Sequence, residues 1–236
     1  MNTFPGRWYL SAFALAVVLT GGFVPSARAQ VPPSASELAA YQGVHDAAAR
    51  GDVPALQRLL AAGANINARD GYGRTPLHVA TFARQRGSLR ALAQAGADLN
   101  ALENDRYDAV TIAAVADDED TLGMLLSLGA SARQITSRYD GTALIAAAHL
   151  GHDGVVRQLV AAGAPLDHVN NLHWTAVIES IVLGNGGQRH QATLQILIQA
   201  GADLQRPDRH GRTPLQLARQ RGYTAMERLL EQAGAR

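Results

Sequence analysis

A chain of 236 residues is long enough to bury a sizeable core, and because it contains no cysteine that core must be held by packing without any disulfide. Apolar residues make up 47% and aromatic residues 5%, a composition that favours close-packed helices rich in Ala, Leu, Val and Ile. The 21 basic residues nearly balance the 20 acidic ones, unlike the strongly basic surface that nucleic-acid binding requires. Nucleic acid is therefore not an expected partner.

Residues 1–29 have the layout of a secretory signal peptide. Arg7 precedes an apolar run over residues 10–19, and Ala27 and Ala29 occupy the −3 and −1 positions of a cleavage site. The alternative is an uncleaved membrane anchor, but the apolar run is short for a span that needs about 20 residues. We predict cleavage after Ala29, export to the periplasm or secretion, and no stable membrane insertion afterwards.

An internal repeat organises the rest of the chain. A glycine within an Ala-Gly-Ala or similar triplet recurs every 33 to 38 residues, at Gly63, Gly96, Gly129, Gly163, Gly201 and Gly234. From the second unit on, a second anchor lies upstream of each glycine, and these anchors begin at Thr75, Ala109, Thr142, Thr175 and Thr213. Two anchors in one register indicate a structural repeat.

The anchors carry the signals that begin a helix. Thr75 and Thr213 can cap a helix N-terminus, and Pro76 and Pro214 follow at the first helical position, where a missing N–H costs nothing. A second, apolar helix follows in each unit, and the repeated glycine supplies the left-handed residue that ends it. Each unit is thus predicted to be a helical hairpin whose apolar face is buried only by its neighbours.

On these motifs the chain resembles the ankyrin-repeat family. Residues 75–80 match the signature T-P-L-H-x-A in full, and the last unit, from Thr213, lacks only its His. The resemblance covers residues 38–236, after a short linker at 30–37. It implies an all-α repeat solenoid with short β-hairpin fingers, built from about six stacked repeats whose first and last members act as caps. It also implies a concave face, formed by finger tips and first helices, that binds another protein.

The segments between units correspond to the fingers. Five places before the anchor stand short polar residues that can close a turn on their own backbone, namely Asp70, Asn104, Asn170 and Asp208. Two places before the anchor, glycine occurs only in the outer fingers, and the five residues are Gly73, Tyr107, Asp140, His173 and Gly211. Because glycine is usual where the backbone needs a positive φ, we expect the three central turns to be remodelled.

Aromatic residues, which are scarce in the chain, gather on the fingers. Tyrosine and tryptophan are enriched at the hot spots of protein interfaces. We predict a partner-binding surface formed by Tyr72, Arg74, Tyr107, Tyr139, Asp140, His173 and Trp174. The alternative is that some rings lie flat on neighbouring fingers and shield the turns.

Two further departures from the repeat lie away from the fingers. The fifth unit has an insertion at 185–189 within a glycine-rich stretch, 184–190, which we expect to be a flexible loop of either functional or neutral origin. The third unit has four consecutive acidic residues at 117–120, which suit the N-terminus of a helix. They lack the alternating spacing and the glycine of a calcium loop.

The histidines do not form a recognisable catalytic pattern. His45 and His78 share one repeat position, and the resemblance implies that they and His152 bond the neighbouring backbone. His149 and His152 can share one side of a turn, but a catalytic zinc ion normally has three protein ligands and no third is apparent. Since motifs for phosphate binding, nucleophilic serine and helical zinc sites are also absent, we predict no catalytic residue, metal or cofactor.

These observations predict a non-enzymatic protein-interaction scaffold in the periplasm. The resemblance to exported bacterial ankyrin proteins implies a narrower alternative, a dedicated accessory or immunity partner of one enzyme, either in catalase-type peroxide defence or against a secreted toxin. A third alternative, from a different class, is a metal-dependent hydrolase that uses His149, His152 and the insertion.

Overall fold

Paired helices follow the repeated helix signals throughout residues 30–236, the part of the chain that this computed structural model describes. The predicted signal peptide, 1–29, lies outside the described residues. Within them, Pro33–Arg236 forms one compact unit. Its helices are α1 (Ala35–Ala40), α2 (Gly43–Arg50), α3 (Val53–Ala61), α4 (Pro76–Phe82), α5 (Arg86–Gln94), α6 (Ala109–Val115), α7 (Glu119–Ser127), α8 (Ala143–Leu150), α9 (Asp153–Ala161), α10 (Ala176–Val182), α11 (Gln188–Gln199), α12 (Pro214–Arg221) and α13 (Thr224–Gln232).

The helices from α2 to α13 form six hairpins stacked in two layers. Even-numbered helices pack on one another as an inner layer, and odd-numbered helices pack as an outer layer. The all-α repeat solenoid of six units is therefore confirmed. No helix among residues 30–236 is long and apolar enough to cross a membrane.

From the second unit on, each inner helix begins at a capping side chain that sets the register of its unit. The Oγ1 atoms of Thr142 and Thr175 accept hydrogen bonds from the backbone N–H groups of Ile145 (3.2 Å) and Ile178 (3.3 Å). In the third unit the cap is Asp108, whose Oδ1 accepts from the N–H of Thr111 at 2.7 Å. The sequence reading that placed this anchor at Ala109 was wrong by one residue, because aspartate caps a helix as well as threonine does.

Small buried residues recur in the inner layer, and buried leucines recur in the outer layer. The last residue of each anchor, and the residue at the same place in the first unit, is small and buried, which lets inner helices approach closely: Ala47, Ala80, Ala113, Ala147, Ser180 and Ala218. All six outer helices bury a leucine, and in five of them it lies four residues before the repeated glycine, at Leu92, Leu125, Leu159, Leu197 and Leu230. Burying such a side chain contributes about 1.5–3 kcal/mol, so the core runs continuously through the stack.

The repeated glycines end the outer helices as predicted. All six have positive φ, between 77° and 99°. Side chains other than glycine rarely adopt this conformation, so each glycine is required for the chain to leave its helix toward the next finger.

Helix α1 begins inside the segment 30–37, which the sequence predicts to be a linker. Ser34 Oγ accepts from the N–H of Glu37 at 3.2 Å, and Glu37 Oε2 accepts from the N–H of Ser34 at 2.9 Å. This reciprocal capping box starts a helix three residues before the predicted boundary of the repeat domain.

The insertion in the fifth unit is ordered by contacts with its neighbours. Helix α11 has 12 residues and takes in the end of the predicted loop. The remaining turn is held by Tyr223, whose hydroxyl donates to the carbonyl of Gly184 at 2.9 Å. His190 is buried, with Nε2 2.9 Å from the carbonyl oxygen of His149. The prediction of a flexible loop over 184–190 was therefore wrong for its helical half, and the rest is a packed turn.

Candidate binding surface on the fingers

Each finger is a tight turn with a left-handed residue at the same place. The backbone φ is positive at Gly73, Arg106, Asp140, His173 and Gly211. The central fingers thus keep the geometry that glycine provides in the outer ones, although a non-glycine residue there costs about 1–2 kcal/mol. The expected remodelling is wrong for the second and fourth fingers. The third finger does differ, since it is one residue longer and has a second left-handed residue, Ser137.

The predicted side chains close most of these turns. Asp70 and Asp208 each accept two backbone N–H bonds within their own finger, and Asn170 Oδ1 accepts from the N–H groups of Leu172 and Trp174, both at 3.0 Å. In the second finger the acceptor is Glu103, bonded to the N–H of Tyr107 at 2.9 Å, and not Asn104. The one-residue error in the anchor of the third unit explains this wrong prediction.

Neighbouring fingers are tied to each other by their backbones. The N–H groups of Asn104, Ser137 and Asn171 donate to carbonyls of the preceding finger at distances of 2.9–3.0 Å. The fingers lack extended strands within residues 30–236, and their one isolated β-bridge joins Thr136 and Gly141. The predicted β-hairpins are therefore hydrogen-bonded turns linked into one edge.

Two ion pairs join the second and third fingers. Arg106 donates to Asp140 at 2.8 Å, and Arg138 donates to Asp105 at 2.9 Å. Asp140 is half-exposed, and its carboxylate is ion-paired with Arg106 of the adjacent finger. Its backbone carbonyl lies 2.6 Å from His168 Nε2. Since exposed pairs contribute little stability one by one, their main effect is to fix the relative position of the two fingers.

The first finger presents Tyr72 but not Arg74. Tyr72 is 47% exposed, and its ring covers the Arg74 guanidinium, with 4.5 Å from Cζ to the ring centroid. The Arg74 side chain is only 2% exposed and is ion-paired with Asp70 (2.7 Å) and Glu37. Burial alone would lower the pKa of Arg74, but hydrogen bonds to these two carboxylates raise it. Arg74 is thus a buried structural residue here, contrary to its predicted place on the open surface.

The central fingers present three half-buried rings and one exposed imidazole. Tyr107 and Tyr139 are half-buried, and burial raises the pKa of Tyr107 to about 12. Trp174 is half-buried and packs against the apolar core, so shielding explains part of its position. His173 is exposed at the tip of its turn. The structure therefore keeps Tyr107, Tyr139, His173 and Trp174 on one edge with accessible surface.

Sequence reasoning missed a buried polar cluster behind the fourth finger. Glu179 on α10 is 5% exposed and accepts from Asn170 Nδ2 at 2.8 Å, and its other oxygen lies 3.3 Å from His149 Nδ1. From the second unit on, the equivalent residues of the other units are apolar, namely Val79, Ile112, Ala146 and Leu217. A glutamate at an apolar repeat position was the available signal, because a buried carboxylate needs partners.

The architecture and the sequence agree on one family. Models described as ankyrin repeats match residues 44–92 (many copies) and residues 110–208 and 144–236 (three copies). The ankyrin repeat protein YahD of Escherichia coli (strain K12) is 35% identical over 190 residues, which cover 80% of this chain and 94% of YahD. The chain belongs to the ankyrin-repeat family.

Solved structures share this ankyrin fold. The ankyrin repeat domain ABAYE2397 of Acinetobacter baumannii AYE is 44% identical with a TM-score of 0.77, covering 82% of this chain and 98% of that one. A chain in the complex of the Bd0816 predatory endopeptidase of Bdellovibrio bacteriovorus with the immunity protein Bd3460 has a TM-score of 0.68, covering 81% of this chain and 98% of that one. At 23% identity, the second likeness shows the fold alone.

The ankyrin histidines that were assigned to the scaffold do bond backbone carbonyls. His45 Nε2 lies 3.0 Å from the carbonyl oxygen of Arg74, His78 Nε2 lies 3.1 Å from that of Tyr107, and His152 Nδ1 lies 2.9 Å from that of Ala114. Burial lowers the pKa of His78 to about 4, so its ring is neutral at pH 7. Among residues 30–236, no three His, Asp or Glu side chains converge on one point as metal ligands.

The acidic run of the third repeat has structural partners. Asp118 caps α7 by accepting from the N–H of Thr121 at 3.1 Å, and it also accepts from Arg86 at 3.0 Å. Asp117 receives two bonds from Arg189 of the fifth repeat, which also donates to Asp153 of the fourth at 3.0 Å. The structural explanation for these acids is confirmed, and one arginine of the insertion bridges three repeats.

Proposed function

We propose that the protein is a non-enzymatic scaffold that binds a partner protein along its central fingers. Ankyrin-repeat proteins are in general interaction modules without enzymatic activity. The observation that carries the proposal is the connected finger edge, on which Tyr107, Tyr139 and Trp174 remain partly accessible on turns that are fixed laterally. Rigid aromatic side chains on a preorganised surface bind with a low entropic cost.

A pulldown from periplasmic extract tests this surface. Tyr107, Tyr139 and Trp174 are changed to Ala singly and together, and we expect the triple variant to lose at least one captured protein. The matched control is Arg157→Ala, an exposed residue of outer helix α9. Far-UV circular dichroism checks that the helices persist, since Trp174 also packs on the core. Unchanged capture by a folded triple variant would rule out this face.

We also propose that the protein works in the periplasm after export. The support is the signal-peptide layout of residues 1–29. N-terminal sequencing of the protein recovered from a periplasmic fraction should begin at Gln30. Recovery of intact Met1 in the membrane fraction would contradict both cleavage and release.

A narrower proposal is that the scaffold serves one enzyme as an accessory or immunity partner. The motivating observation is that a solved complex of an endopeptidase with an immunity protein contains a chain of this fold. A deletion strain separates the two versions, since sensitivity to peroxide indicates enzyme support and sensitivity to a sibling strain's toxin indicates immunity. Metal-dependent hydrolysis, the remaining alternative, predicts stoichiometric metal in the purified protein.

A further inference from the structure

Residues 34–41, here called the N-terminal strap, cover one end of the finger edge. The strap consists of Ser34, helix α1 and Tyr41. Its contacts with the first finger are polar: Glu37 pairs with Arg74, and the Tyr41 hydroxyl donates to Asp70 Oδ2 at 2.6 Å. The strap therefore lies on the residue pair that closes the first turn.

The strap is held with little apolar burial. No residue of α1 is buried, and Leu38 is 40% exposed. A six-residue helix has no stability of its own in water. Apart from the Tyr41 ring, whose centroid lies 5.4 Å from that of His45, docking of the strap thus depends on its polar contacts, which a competing ligand can replace without disrupting the apolar core.

The strap contributes to the unusual burial of Arg74. The residue just before the helix cap is Tyr107 in the second finger and Trp174 in the fourth, and both stay half-exposed although a finger lies on either side. Arg212 holds this place in the last finger, where its side chain is 40% exposed. Flanking fingers alone therefore do not bury a side chain here, and Arg74 differs from these residues by its contact with Glu37 of the strap and by the Tyr72 ring over its guanidinium.

We propose that the N-terminal strap occupies a carboxylate-binding site centred on Arg74, and that an acidic segment of a partner protein displaces it. Arg74 is already shaped for a carboxylate, since its Nε is fixed by Asp70 and the Tyr72 ring covers its flat face. A carboxylate from the partner compensates the positive charge of Arg74 as Glu37 does, whereas a basic or neutral segment does not. This inference rests on the proposed function in taking the finger edge as the binding face, and it adds the chemistry of one partner segment.

The test uses the purified chain and a defined acidic probe, acetyl-tetraglutamate amide, with acetyl-tetraglutamine amide as the uncharged control. Binding is followed by NMR through the Arg74 side-chain Nε–H signal. The variants are Glu37→Gln, the double variant Glu37→Gln with Tyr41→Phe, and the matched control Glu227→Gln. Glu227 also pairs with an arginine, Arg219, but on the last repeat.

We expect the acidic probe to shift the Arg74 signal and to bind Glu37→Gln about fivefold more tightly than wild type, because a competing ion pair has been removed. The double variant should bind at least as tightly, and Glu227→Gln should match wild type. Affinities within twofold across all four proteins, equal binding of the glutamine probe, or shifts confined to the last finger would each overturn the inference. The central aromatic residues take no part in this experiment, so its failure leaves the pulldown result intact, and the reverse also holds.

Discussion

The first and last fingers close their turns with an ion pair, whereas the fourth finger closes the same turn with an amide and a buried glutamate. Asp70 pairs with Arg74, and Asp208 pairs with Arg212. In the fourth finger Trp174 replaces the arginine, and Asn170 donates to Glu179 instead. The backbone geometry is the same, so the repeat requires a closed turn but not one particular chemistry. The change frees the position before the helix cap for an aromatic ring.

The largest expected effect separates the two ion-paired fingers. Asp70→Ala should lower the free energy of unfolding by about 4 kcal/mol, because Arg74 stays buried with one partner fewer and the turn loses its acceptor. Asp208→Ala should cost about 2 kcal/mol, since the half-exposed Arg212 regains water. Urea unfolding followed by circular dichroism measures both. Equal losses of unfolding free energy in the two variants would show that the burial of Arg74 does not raise the cost of removing its partner.

Restoring an aspartate at the turn-closing position of the fourth finger should make the stability of the protein depend on pH. Asn170→Asp places a second carboxylate beside Glu179. Because two adjacent carboxylates repel each other when both are ionised, one of the two then has a raised pKa in the folded state. A raised carboxyl pKa stabilises the fold at low pH and is lost as pH rises, so the variant should be about 2 kcal/mol less stable than wild type at pH 7 and recover toward pH 5. A loss independent of pH would contradict the proximity of these groups.

In the second and last repeats, different side chains accept the hydrogen bond from the backbone N–H of the capping threonine. His78 Nδ1 accepts from the N–H of Thr75 at 3.1 Å, and Gln216 Oε1 accepts from that of Thr213 at 3.0 Å. Because burial lowers the pKa of His78 to about 4, the folded state binds fewer protons than the unfolded state below pH 6.5. Stability should therefore fall by about 2 kcal/mol between pH 6.5 and 4.5, and His78→Gln should reduce this slope. An unchanged slope in the variant would assign the loss to other groups.

The smallest expected effect concerns the tip of the fourth finger. His173→Gly replaces a left-handed imidazole residue with the glycine of the outer fingers, and we expect a gain of about 1 kcal/mol, seen as a higher melting temperature. Gly73→Ala provides the comparison, since an added Cβ would lie 2.3 Å from the Asn104 side chain and should destabilise the first finger. A neutral His173→Gly would mean that the turn carries no strain.

The repeat, its helices and the glycines that end the outer helices were predictable from the sequence because each depends on local signals. The anchor of the third unit was misplaced by one residue, because its helix is capped by Asp108 where the other anchors begin at threonine. The burial of Arg74 was not predictable in this way, since it depends on where a short helix 37 residues earlier docks. The glycines of the insertion predicted a flexible loop, but His190 and Tyr223 order it through contacts that exist only in the folded stack.

The bridge made by Arg189 bears on how the solenoid comes apart. In a repeat stack, each unit normally senses only its immediate neighbours, so unfolding can spread inward from either end one repeat at a time. By holding Asp117 and Asp153 together, Arg189 makes the third unit respond to the loss of the fifth. Since exposed ion pairs contribute little one by one, this link is worth at most about 1 kcal/mol, and loss of the fifth unit lowers the stability of the third by no more than that.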